Sequence, residues 1–91
     1  MARHTIDIAQ ESPTTFRVTV SDARGASAYL VTVMPSDVEH YAPGWTPEEL
    51  LEASFHFLLE REPREAILAQ FDLPVIERYF PEYGRVMRGH D

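Results

Sequence analysis

The chain predicts an α+β domain: a small antiparallel sheet of about three N-terminal strands packed against about three C-terminal helices. Apolar residues alternate with a period of two over residues 5–34, as in half-buried strands. From Ser36 the period changes to three and four, with prolines placed where helices start or stop. A length of 91 residues suits one domain whose core is thin. The expected organisation is a single domain over 1–91, with a β-meander at 1–35, a helical half at 36–83 and a frayed tail at 84–91.

In the first strand, Thr5 to Gln10, Ile6 and Ile8 face one way and Asp7 the other. Pro13 cannot donate to a ladder, so Glu11 to Thr14 reads as a turn, with one long strand kinked at Pro13 as the alternative. Phe16, Val18 and Val20 alternate with Arg17, Thr19 and Ser21 in the clearest strand of the chain. Asp22-Ala23-Arg24-Gly25 has the residues of a type I turn closing on a left-handed glycine and a bulge. Ala26 to Met34 is apolar on both faces and is expected to be the most covered strand, with Pro35 ending it.

Ser36 is the expected cap of a short helix over Asp37–Tyr41, broken by Ala42-Pro43-Gly44. Thr46-Pro47-Glu48-Glu49 is a capping box with proline at the first helical position, and Trp45 stands at hydrophobic-staple spacing from Leu50. The helix from Pro47 to about Arg61 puts Leu50, Leu51, Ser54, Phe55, Phe57 and Leu58 on one face. Pro63 restarts a helix over Arg64–Gln70, and Asp72 caps a last one over Leu73–Phe80, ended by Pro81. The predicted core is Phe16, Val18, Val20, Leu30, Leu51, Phe55, Leu58, Ile67, Ile76 and Phe80. The helices are expected over one face of the sheet, because neither layer can bury its apolar side alone.

Composition excludes several classes of chemistry. The chain has no cysteine, hence no disulfide, thiolate nucleophile or cysteine metal site. It shows no apolar run of bilayer length and no signal-peptide core, which points to the cytoplasm and away from a membrane. The net charge of −7 is concentrated: residues 36–82 carry three Arg against eleven Asp and Glu, a local −8 that would repel phosphate backbones. The stretch REAILAQ–FDL–PVIERYF has the outline of a helix-turn-helix, but its last helix offers Arg78 beside Glu77 and no basic patch, so no nucleic-acid partner is expected.

The most suggestive polar pattern is Glu49, Glu52, His56 and Glu60, one helical face opposite the apolar stripe. Carboxylates and an imidazole can bind a divalent ion, which makes Glu52, His56 and Glu60 the candidate metal residues. No second histidine stands at zinc-site spacing, so the face reads first as solvated, with Glu–His contacts one turn apart, and no cofactor is assigned. His40, Tyr41 and Trp45 are the candidate binding residues of the loop before the long helix. None of the four histidines belongs to a nucleophile motif, and the glycines stand alone rather than in a phosphate loop, so no catalytic residue is assigned. Glu60, Glu62 and Glu65 with Arg61 and Arg64 read as a charge cluster at a helix junction, within reach of Arg78.

At PEEL, SFHFLLEREP and ILAQFDLPVIERYFPEY the chain resembles a family of short bacterial proteins of unknown function, over about residues 11–83. The resemblance implies an N-terminal β-hairpin region followed by this block in a single domain, and a role that does not depend on a cofactor. It transfers no catalytic residue. The expected function is therefore a non-enzymatic interaction module, with another protein or a second copy as partner. Its aromatic anchors would be Tyr29, Tyr41, Trp45, Tyr79 and Tyr83. The alternative is a small-molecule or metal-binding protein using the His40–Trp45 loop or the His56 face.

Overall fold

A computed structural model describes residues 4–89. Three strands run in order as an antiparallel meander: β1 (Thr5–Gln10), β2 (Thr15–Asp22) and β3 (Gly25–Thr32). Ile8 lies opposite Val18, and Val18 opposite Tyr29, so Ile6, Ile8, Phe16, Val18, Val20, Tyr29 and Val31 share one face. The turn at Pro13 separates two strands rather than kinking one; Ser12 Oγ accepts from Thr14 N and Thr15 N and folds the chain back. At the next hairpin Asp22 pairs with Gly25 across a two-residue loop, and Asp22 Oδ1 accepts from Arg24 N and Gly25 N. Gly25 takes φ +151°, on the positive side as expected but well beyond the left-handed helical region.

The expected face of the third strand is corrected by this register. Its inner residues are Tyr29 and Val31, 2% and 0% exposed, whereas Leu30 lies on the opposite, open face. A strand apolar on both sides does not announce which side is inward; pairing with Phe16 and Val18 decides it.

Helix α1 (Pro35–Tyr41) begins earlier than expected. Met34, not Ser36, is the residue before the first turn, Pro35 takes the first helical position, and Asp37 Oδ2 accepts from Met34 N at 2.8 Å. Helix α2 (Pro47–Leu59) starts with the expected capping box: Glu49 N donates to Thr46 Oγ1 at 3.1 Å and Thr46 N donates to Glu49 Oε1 at 2.8 Å. Its buried side is Leu50, Leu51, Ser54, Phe55, Phe57 and Leu58, the predicted face. Trp45 is half-buried against the core beside the start of this helix.

The helix expected over Arg64–Gln70 does not form. A single 3-10 turn, Arg64–Ala66, is followed by an extended segment and a fourth strand, β4 (Gln70–Asp72), which pairs in parallel with β3. Leu30 N donates to Ala69 O and Leu73 N donates to Thr32 O. Pairing this edge of β3 satisfies backbone groups that would otherwise stand open beside the core, and this outweighs the local helical pattern of the stretch. The helix-turn-helix outline thus lacks its first helix. With Leu73 committed to the sheet, α3 is shorter than expected (Val75–Tyr79).

The expected frayed tail is also corrected. Residues Tyr83–Gly89 form α4, with Tyr83 0% and Met87 7% exposed; positions 90–91 of that tail lie outside the described residues. Tyr83 joins an aromatic series with Tyr41 and Phe57 at ring-centroid distances of 5.0 and 5.3 Å. Gly84 lies against the Glu77 carboxylate, so a Cβ there would meet Glu77 Oε2. Of the predicted core, all but Leu30 and Phe80 are buried, and Phe80 packs against the core from its margin.

Candidate functional site

The interior polar groups act as fasteners. Ser54 Oγ donates to Leu50 O at 2.7 Å and accepts from Tyr83 OH, 2.6 Å away, which ties α4 to α2. Tyr29 OH donates to Arg64 O. The Arg64 guanidinium is nearly enclosed and reaches back to the end of the β2–β3 hairpin, donating to Asp22 Oδ2 at 3.2 Å and Ser27 Oγ at 2.7 Å. Arg61 lies over the Phe57 ring at 3.6 Å and pairs with Glu60 and Glu82. Arg78, expected to reach Glu62 or Glu65, is in no ion pair among the described residues.

The loop residues singled out from the sequence divide. His40 is exposed and stands edge-on to Tyr41, with ring centroids 4.6 Å apart. Tyr41 is buried, and its hydroxyl donates to Glu77 Oε1 at 2.7 Å. Burial, followed by the Glu77 carboxylate, pushes the Tyr41 phenol above the usual tyrosine range. Arg88 of α4 approaches His40 Nε2 at 3.3 Å, so the end of α1, where both His40 and Tyr41 stand, is strapped to both α3 and α4. Trp45 N donates to Ala42 O at 3.0 Å, and the side chain packs against the core. On the acidic face of α2, Glu52 and His56 meet at 3.9 Å, both more than half exposed, while Glu60 turns to Arg61. Among the described residues no group of three or more His, Asp or Glu is placed to hold a metal ion. No helix among them is long and apolar enough to cross a membrane.

Of the aromatic anchors expected at the surface, Tyr29, Tyr41 and Tyr83 are core residues; Tyr79 alone is widely open, at 65% exposure. It borders a groove that no local pattern revealed. α2 contributes Leu58, the turn after it Glu62, the 3-10 turn and the extended segment Ala66, Ile67 and Leu68, β4 Phe71, and α3 with its end Val75, Ile76, Tyr79 and Phe80. Its volume is about 160 Å³. Leu68, 47% exposed, lines the groove as well. The one available signal was that Leu68 had no place on the apolar side of the expected Arg64–Gln70 helix.

A second, more polar recess of about 400 Å³ is lined by His4, Asp22, Arg24, Leu59, Glu62, Pro63, Arg64 and Glu65. Its buried cation, Arg64, is already engaged by Asp22 and Ser27. No family model, curated protein or solved structure matches the chain.

Proposed function

We propose that this domain is a non-enzymatic protein–protein interaction module of the cytoplasm that receives an apolar side chain of another protein in the groove between α2, β4 and α3. One observation carries the reading. Among the described residues three large hydrophobic side chains are exposed, and two of them, Leu68 and Tyr79, line this one groove. Exposed apolar groups gathered round a concavity are the mark of a contact surface, whereas scattered ones are ordinary.

Size and charge narrow the occupant. A volume of about 160 Å³ is on the order of the cavity that admits benzene, so it suits one leucine- or phenylalanine-sized side chain. Pockets for drug-sized ligands run to roughly 300–1,000 Å³. The surrounding half of the chain, residues 36–82, carries −8, which favours a partner with Lys or Arg beside its apolar residue and disfavours a phosphate backbone.

A photo-crosslinking side chain at position 68, compared with one at Arg24 on the exposed hairpin tip, tests the reading in living cells. A discrete adduct with one other protein, formed from position 68 and not from position 24, is the expected result. Adducts that are the same from both positions, or none, would overturn it.

A further inference from the structure

We propose that the groove's occupant is an extended segment that pairs with β4 as a fifth strand, seats one aliphatic side chain beside Phe71 and carries Lys or Arg next to Glu62; this rests on the docking role proposed above. The argument begins with the ladder. Leu30 and Thr32 of β3 bond to the chain at Ala69 and Leu73, and Phe71 lies opposite Val31. In a parallel pair alternate residues turn their backbone groups to one neighbour. Residues 69, 71 and 73 therefore serve β3, and the N–H and C=O of Gln70 and Asp72 point away from it, at the edge of the sheet. Both residues are exposed.

An added strand would lie about 4.8 Å beyond β4, with successive side chains on opposite faces. The residue set beside Phe71 would point to the helix-covered face, and there the groove offers Leu68, Val75 and Tyr79 around a space of one side chain. A docked helix would fill that space but leave the Gln70 and Asp72 backbone groups without partners. The opposite edge of the sheet, β1, already has Ile6 and Ile8 packed against the core.

Charge selects the flanks. Arg61 is held by Glu60 and Glu82, and Arg64 by Asp22 and Glu65. Glu62 in the lining and Asp72 on the edge are in no ion pair among the described residues, and within residues 36–82 Arg78 is the one arginine outside those pairs. A second copy is the poorer occupant, because each copy carries −7.

The probe is the acetylated heptapeptide Thr-Arg-Thr-Leu-Thr-Arg-Thr, whose Leu and both Arg residues share one face of a strand, titrated into isotopically labelled full-length protein and followed by amide NMR. Expected are saturable shifts centred on residues 66–80 and Gln70 and Asp72 amides that exchange with solvent about tenfold more slowly when bound. Affinity should fall about tenfold or more with Glu in place of both Arg residues, and similarly with Leu68→Asp, whose exposed position leaves the fold intact. N-methylating one alternate set of peptide amides should abolish binding while methylating the other set leaves it, because a strand offers only one edge to β4. No saturable shift at about 1 mM peptide, unchanged exchange at Gln70 and Asp72, or equal binding of the two methylated peptides would overturn the fifth-strand proposal. If the position-68 crosslink persists under any of those results, docking stands and only the strand geometry falls; if the crosslink fails too, both fall.

Discussion

Arg64 shows how one side chain can join parts of a chain that no local pattern connects. Its partner Asp22 lies 42 residues earlier, at the end of a hairpin, and the Glu and Arg residues around it in sequence made it look like one member of a surface charge cluster. Asp22 accepts from the backbone N–H of Arg24 and from the Arg64 guanidinium, with His4 Nε2 at 3.8 Å. The Arg24 amide first, then Arg64, holds the Asp22 carboxyl below the ordinary aspartate range. A carboxyl lowered in the folded state contributes stability that is present above its unfolded pKa, about 4, and is lost as pH falls through the folded value. Asp22→Asn should therefore lower the urea midpoint at about pH 6, and the gap to the parent protein should narrow steadily as pH is taken below about 4. A gap that stays constant over that window would mean that the Asp22 charge does not support the fold.

The elements that were legible in the sequence are those made by neighbours in sequence. Helix α2 carries its own cap, its own proline start and a continuous apolar face, and it forms where they predict. The β2–β3 hairpin is set by Asp22 and Gly25 in the same way. β4 and α4 were not legible, because what decides them lies elsewhere: the open edge of β3 for one, and Ser54, Tyr41 and Glu77 for the other. The candidate groove was hidden for the same reason, since Leu68 becomes a rim residue only once β4 replaces a helix. A tail that merely frays would tolerate substitution to within about 0.5 kcal/mol. Met87 is instead 7% exposed within α4. Met87→Ala should cost about 2–5 kcal/mol, measured as a fall in denaturation midpoint without change in slope.

At the scale of the whole molecule the aromatic residues link sheet and helices. Three of the four tyrosines, Tyr29, Tyr41 and Tyr83, are no more than 3% exposed, and burial raises the pKa of each phenol. A phenol raised above its unfolded value of about 10 contributes stability that is complete below that pH and disappears as pH rises through the folded value. On alkaline titration the phenolate absorbance of these three should grow together with the loss of the circular dichroism of the fold, not ahead of it. Growth while the fold persists would show that solvent reaches them in the native state. The parallel pairing of β3 with β4 has a further consequence, for the order in which a ribosome delivers the parts. Val31 and Phe71, which this pairing brings together, are 40 residues apart in the chain. At about 5–20 residues per second the meander waits roughly 2–8 s for the strand that closes its edge. During that interval the newborn chain shows Leu30 and an unpaired strand to its surroundings, and a chaperone that grips extended apolar segments would find its target there.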